Sequence, residues 1–583
     1  MLSTITKPDI RISAVIFLLL RALVPTALSQ NALQIPDTLS GTKIDLDLRT
    51  DSFSFYPGFY TQTMGVNSAI LGPTLFLNKG DLVKFSVKNS LPDTTTLHWH
   101  GLHVSSSDDG GPHTIIAPGT TWSPEFRILN RAATYWYHPH LHHKTDKHVS
   151  KGISGLLIVR DQFEAKLPLP RSYGSDDFPM VIQTKDFDTN KEILIHSNND
   201  DVVMVNATIE PFLKVGAQVI RCRVLNGSSQ RTFNLGLTDN HVMYLIASDG
   251  GLLNKPESVT RLMLSPGERA EILIDFSEDK GKKIALLSYA SELANGIYGA
   301  SNPGMGPGMN LTGYKPNVLN GTDFNVLEFK IGAPTANPIT QIPNNLINNT
   351  RIPESQSDIT RNLLLSPRTM GMNQLNGGFL INNQKFSPTR IDYRIPINNT
   401  EIWSIRNMSG IAHPFHIHDV QFFILDRNGM SPSSAELGLK DVVLIRPQET
   451  VRFITKFEDF ADTTVPYMFH CHMLTHEDDG MMEQFIVFDT SQTLSFRKVN
   501  ANRRPITYPN PVYDSKIFLN SENNTTVKEI NLYSVTGEKL TEVGIFSKNT
   551  EFVIEIPLGL NGWYFLEVVT ESTSSYERVL INN

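Results

Sequence analysis

Cysteine is nearly absent: 583 residues hold two, Cys222 and Cys471. Two thiols cannot build a disulfide framework, even in a compartment that permits one. Nor is there an excess of basic charge, because 51 Lys and Arg stand against 59 Asp and Glu for a net charge of -8. That balance excludes a basic face for nucleic acid. Past the first thirty residues no apolar run is long enough to cross a bilayer as a helix, and few stretches keep a helical period. The chain carries instead short alternating runs broken by Gly, Pro, Asn and Asp, which predict an all-β protein built of sandwiches.

The start of the chain differs. Lys7 and Arg11 precede the apolar run Ile12 to Leu20, Arg21 interrupts it, and Ala27-Leu28-Ser29 closes it before Gln30. This layout predicts a signal peptide over 1–29, so the mature protein is expected to be exported and soluble. Beyond it lies an internal repeat. Asp81-Leu82-Val83-Lys84-Phe85-Ser86-Val87-Lys88-Asn89 recurs as Gln218 to Asn226 and as Glu401 to Asn407. Each copy is a predicted strand ending at Asn, followed later by a turn: Pro118-Gly119, Pro266-Gly267-Glu268 or Pro447-Gln448-Glu449. Three copies of one β-domain are therefore expected, at 30–165, 166–345 and 346–495, with a small β-sandwich at 505–583. The Gly-, Pro- and Asn-rich stretch from Asn295 to Asn349 reads as a loop and linker. Sequons begin at Asn206, Asn226, Asn310 and Asn407, and would be used only in a eukaryotic secretory route.

The chemistry concentrates in Phe469-His470-Cys471-His472-Met473-Leu474-Thr475-His476-Glu477-Asp478-Asp479-Gly480-Met481. Side chains alternate along a strand, so His470 and His472 point one way and Cys471 the other. One tripeptide can serve two metal sites. Cys471, His476 and Met481 supply most of a blue-copper site, which needs two His, one Cys and a weak axial Met. A disulfide to Cys222 would quench that thiolate, and Cys222 reads instead as a small buried apolar side chain. His98-Trp99-His100, His138-Pro139-His140 and His413-Pro414-Phe415-His416-Ile417-His418 complete the inventory, so ten of the seventeen His fall in four motifs. His413, free to reach a different metal from His416, supplies the missing imidazole beside Cys471. His98, His100, His138, His140, His416, His418, His470 and His472 remain, two from each motif. Eight imidazoles suit three copper ions with positions left open for oxygen, whereas a closed zinc site wants four ligands. Four one-electron centres match the four electrons that reduce O2 to water.

These four motifs resemble those of the multicopper oxidases, in the three-domain bacterial branch with copper efflux oxidase, spore-coat laccase and bilirubin oxidase. Asp109-Gly110-Gly111-Pro112, Thr134-Tyr135-Trp136-Tyr137 and Phe379-Leu380-Ile381-Asn382-Asn383 extend the likeness over roughly residues 40–490. The resemblance implies three consecutive cupredoxin-like Greek-key β-sandwich or barrel domains and four copper ions. It implies type 1 copper on His413, Cys471, His476 and axial Met481, with Met482 the competing thioether. It implies type 2 copper on His98 and His416, and a type 3 pair on His100, His138, His140, His418, His470 and His472. It also implies proton-relay carboxylates at Glu477 and Asp109; read from the residues alone, these could be a surface acid and a turn residue before Gly110-Gly111.

Tyr508-Pro509-Asn510-Pro511-Val512, Ile530 to Gly537, Leu560 to Val568 and the terminal Arg578-Val579-Leu580-Ile581 resemble the C-terminal sorting domain of the type IX secretion system of Bacteroidota. Arg578 stands where that family usually has Lys, and an adhesion sandwich is the competing reading. The resemblance implies a secreted or cell-surface protein, exported through the periplasm of a Gram-negative bacterium, with the secretion machinery as partner.

The expected function is oxidation of a small reductant coupled to reduction of O2 to water, by a monomer. The alternative is a copper-binding scaffold or copper-resistance protein of the same fold without turnover; a degenerate member should have lost ligands, and here none of the twelve is missing. A phenol or pigment stands level with copper(I) as reductant, because Met305, Met309, Met370 and Met372 form only a sparse thioether set that reads as flexible gap filling. His103, His113, His142, His143 and His148 match no fifth paired site. His142 and His143 are near enough to the second motif to orient its ligands, or lie in solvent.

Overall fold

Three buried asparagines account for the repeat. Asn89, Asn226 and Asn407 end the strands Leu82–Asn89, Val219–Asn226 and Thr400–Asn407. Each side-chain oxygen accepts from the backbone N–H two residues on, at 3.0 Å from Leu91, 3.0 Å from Ser228 and 2.9 Å from Ser409. Each side-chain amide donates twice: to Asp93 and Ile116, to Arg231 and Leu264, and to Ile411 and Ile445. An amide has two donors and an acceptor, and here all three are spent closing the loop after the strand. The sequons at Asn226 and Asn407 are thereby occupied, as is Asn206, whose amide donates to Gln34 and Pro179. These buried amides are closed to glycosylation.

The protein, in a computed structural model, is described over 31–489 except 303, 305–316, 370–374 and 376, and over parts of 506–582. The predicted leader, Met305, Met309, Met370, Met372 and Asn310 lie outside the described residues. The chain divides into a unit over 1–489 and a second over 490–583. No helix among the described residues is long and apolar enough to cross a membrane.

In the first unit each repeat strand runs parallel to an earlier one, Lys43–Phe53, Asp177–Lys185 and Ile359–Pro367. Three β-sandwiches result, each of two sheets, in the cupredoxin-like fold. Alternation drives the first. Val83, Phe85 and Val87 are buried while Leu82, Lys84 and Lys88 are exposed, and Phe85 meets Trp99 at 4.3 Å inside. The middle copy is buried on both faces. Its Arg221 and Arg223 would face water on an isolated sandwich, but they pair with Glu164, Asp177 and Glu271 and reach Thr134 of the first sandwich. Cys222 lies on its inner face, a free buried thiol. Asn31–Ala32 also pairs here, alongside Pro211–Phe212, so the chain enters through the middle sandwich.

Two short helices interrupt the strands, Thr145–Lys151 and Leu474–Asp478. Asp478 joins them by accepting from the N–H groups of Thr145 and Asp146, both at 3.0 Å. A carboxylate there satisfies amides that the first helical turn leaves open, and it locks the chain around Glu477. In the second unit, two four-stranded sheets enclose Ile530, Leu532, Leu566, Val568 and Val579.

Candidate metal centre

Strand register assembles the histidines. His98–His100 pairs antiparallel with Ala133–His138, so that His98 faces His138 and His100 faces Trp136. His413–Ile417 pairs likewise with the strand ending at Cys471: His416 faces His470, and Phe415 faces Cys471. Directly opposed residues on one sheet face sit within side-chain contact. Two sandwiches, the first and third, thus deliver eight buried imidazoles to one place.

They fall into three groups. The Nε2 atoms of His140, His418 and His470 converge, at 3.0 Å, 3.1 Å and 3.4 Å from one another. His100 turns its Nδ1 toward the Nε2 of His138 and of His472, each at 3.3 Å. His98 and His416 each present a buried Nε2 with no partner. The opposite ring nitrogens fix which atom carries hydrogen. Those of His98, His138, His416 and His470 meet the carbonyls of Asp109, Pro139, Asp441 and Cys471 at 2.8–3.1 Å. His418 donates to Asp109 Oδ2 at 2.8 Å. His100 alone is reversed, giving its Nε2 hydrogen to Asp441 Oδ1 at 3.1 Å. Lone pairs therefore face lone pairs, an arrangement that a cation satisfies and a proton network does not.

Burial pushes the rings of His140 and His472 down to about 3, and those of His100, His138, His416 and His418 well below the ordinary histidine range. They are neutral donors at physiological pH, the form that binds metal.

Cys471 points to the other face, its Sγ 3.5 Å from the Nδ1 of both His413 and His476. Ser409 Oγ holds His413 Nε2 at 2.9 Å, and the Leu375 carbonyl accepts from His476 Nε2 at 2.9 Å, leaving each Nδ1 lone pair toward sulfur. Burial pushes His476 down to about 4 and the Cys471 thiol up, so a bound cation must displace the thiol proton. Met481 is buried in the same core cluster as Cys471, and its carbonyl accepts from the Cys471 N–H at 3.1 Å. Met482 turns away, to Phe386 and Met468.

The two acids stand between the groups. Glu477 is fully enclosed, not a surface acid. Its Oε1 accepts from Thr145 Oγ1 at 2.8 Å and lies 3.4 Å from His140 Nδ1, while Oε2 lies 3.2 Å from His470 Nδ1. Asp109 Oδ2 lies 2.8 Å from His418 Nδ1 and 3.3 Å from His98 Nδ1. The turn reaches there because Gly110 has φ +79° and a Cβ on it would stand 1.8 Å from the Leu97 carbonyl.

None of the other seven histidines joins a group. His142 stacks on His143 at 3.7 Å, His148 meets Thr95, His113 meets Gln484, and His103 pairs with Asp419 and Asp459. Sequence reasoning missed Ser409, Leu375, Asp441 and Arg269. Ser409 had a signal, because it follows Asn407 as Ser228 follows Asn226; the others reach the site only through tertiary structure.

Residues 48–164, 193–291 and 357–491 match family models described as multicopper oxidase. The chain belongs to the multicopper oxidases. It is 35% identical over 446 residues to a multicopper oxidase of Staphylococcus haemolyticus, covering 74% of this chain and 86% of that protein. It is 30% identical over 472 residues to the cell division protein FtsP of Proteus mirabilis, covering 79% and 93%. Among solved structures it is similar to a laccase-like multicopper oxidase from Ochrobactrum with activity toward lignin model compounds (33% identity, TM-score 0.69, 78% and 100% covered). It is also similar to a multicopper oxidase of Campylobacter jejuni described as a metallo-oxidase (25% identity, TM-score 0.66, 79% and 95% covered). Residues 507–582 match a secretion system C-terminal sorting domain. As a multicopper oxidase the enzyme is an oxidoreductase that uses copper, and the thiol, imidazoles and unpartnered Nε2 atoms are the donor set copper takes.

Proposed function

We propose that this multicopper oxidase holds four copper ions, one on His413, Cys471, His476 and Met481 and three among the eight imidazoles, and couples oxidation of a small reductant to reduction of O2 to water. The observation that carries the reading is the convergence of eight buried imidazoles one residue away from a thiol held by two more. His98 and His416 would hold one ion, while His100, His138 and His472, and His140, His418 and His470, would each hold another. When bound, copper supplies one-electron redox centres that accept four electrons singly and deliver them to O2, which with four protons leaves as two waters.

The chain's own residues do the rest. His470 and Cys471 tie the two faces by a covalent link and by the 3.1 Å hydrogen bond from His470 Nδ1 to the Cys471 carbonyl. Backbone carbonyls fix the tautomers of His98, His138, His416 and His470, and the carboxylates of Asp109 and Asp441 those of His418 and His100, so these six imidazoles arrive with the lone pair inward. Glu477 and Asp109 each lie against two imidazoles, where a carboxyl group would hold and pass on the protons that oxygen reduction consumes. Enclosure keeps bulk water out.

Two classes of reductant have support, phenolic and metal-ion, one from each of the solved relatives. A copper-binding scaffold without turnover, the competing reading, is opposed by the complete ligand set. Oxygen uptake measured in parallel with copper(I), a substituted phenol and bilirubin decides: turnover with any of them supports the oxidase, and fully loaded protein inert to all three overturns it. The match to a secretion system sorting domain supports export to the cell surface through the type IX route.

A further inference from the structure

We infer that the middle sandwich, which donates no imidazole, positions one of the two imidazole trios, through Arg269 and Gly267. This rests on the copper assignment proposed above. His100, His138 and His472 are backed from the middle sandwich at all three rings, whereas His140, His418 and His470 lean on Asp109 and Glu477 of the first and third.

His100 is the ring that presents Nδ1 to its trio, and its outward Nε2–H must be held or the ring can turn over. Asp441 accepts it at 3.1 Å. Asp441 is in turn gripped by both Nη atoms of Arg269, at 2.5 Å and 2.6 Å, from the strand Arg269–Asp275 of the middle sandwich. A two-pronged guanidinium fixes the carboxylate plane as well as its place. The three residues come from three sandwiches and all are fully buried.

Two residues earlier, Gly267 has φ +85°, and a Cβ there would lie 2.9 Å from three ring atoms of His472. The turn backbone is pressed on the imidazole face, and only glycine allows it. The third ring, His138, stacks on Trp136 at 4.1 Å, and Trp136 packs on Val181 and Leu225 of the middle sandwich. Docking of the middle sandwich therefore completes this trio, and Arg269 and Gly267 are positioning residues.

The test uses the full-length, copper-loaded protein with Asp441→Asn, Arg269→Lys and Gly267→Ala. Gly267→Ala removes no charge, which keeps the inference testable if Arg269→Lys destabilises the fold. Two measurements are made under a competing chelator: copper per chain, and the integrated electron paramagnetic resonance of the oxidised protein. Copper bound by this trio should weaken about 10- to 100-fold, the scale for losing an outer partner of a metal-bound imidazole. Its spin-coupled neighbour, silent in the intact pair, then becomes visible, while the blue absorption from Cys471 is unchanged. Arg269→Lys, which keeps the charge and loses the fork, should fall between Asp441→Asn and wild type. Wild-type copper retention and spin count in both Gly267→Ala and Asp441→Asn overturn the inference. A wild-type protein with a blue site and no spin-silent pair overturns instead the assignment beneath it.

Discussion

His470 donates its Nδ1 hydrogen to the carbonyl of Cys471, the next residue, at 3.1 Å. One peptide unit thus holds a ring for one metal group and a thiol for another, and the two can be removed separately.

Cys471→Ser takes away the sulfur and keeps the backbone. The blue thiolate-to-copper absorption should vanish, and about three coppers per chain, those of the imidazole groups, should stay bound by elemental analysis. Retained colour would refute the placement of the blue site.

Met481→Leu replaces a weak thioether donor with a non-ligand, and axial identity tunes a blue-copper potential. The potential should rise with copper still bound, while Met482→Leu, facing Phe386 and Met468, should leave it alone. Redox titration of both variants separates the two methionines.

Glu477→Gln and Asp109→Asn keep shape and an accepting oxygen but cannot carry the proton. Oxygen turnover should fall by about ten-fold or more, the scale for losing an acid–base group, at unchanged copper content and colour. Wild-type turnover across the pH range in either variant removes that residue from the proton path.

His103 gives a pH dependence of stability. Burial pushes its ring down, but Asp419 and then Asp459 outweigh that and raise it to about 9 from the ordinary 6.5. Asp419 is itself pushed up by burial, against the pull of His103. A raised folded-state value means stability that is full below about 6.5 and lost as pH climbs through about 9. Wild type should exceed His103→Gln by on the order of 1 kcal/mol in acid, the upper range for a partly exposed pair, and the gap should close above pH 9. Denaturant melts at both ends check it; a gap that widens with pH contradicts the pairing.

Truncation after residue 489, the end of the first unit, should leave copper binding and oxygen uptake intact and abolish export in the native host. Lost activity in the purified truncation would make the tail part of the working fold.

Much of this was legible beforehand, for local reasons. His98 and His100, or His416 and His418, share a face because strand side chains alternate, and Asn89, Asn226 and Asn407 mark the repeat because each performs the same closure with its own amide. The rest depends on where sandwiches dock. Arg269 reaches Asp441 across 172 positions and His100 reaches it across 341, and neither has a spacing or period to betray it. The burial of Arg221 and Arg223 is hidden for the same reason: their side of the strand is covered by a neighbouring sandwich.

The alternation at His470, Cys471 and His472 also constrains how this gene can change. A strand shifted by one residue exchanges its two faces, so deleting a single codon just before His470 would swing the sulfur into the nest of imidazoles and an imidazole into the place of the sulfur. Substitutions nearby can be absorbed one at a time; changes of length cannot, and the spacing from Phe469 to His476 should be far less tolerant of insertion than the residues that fill it.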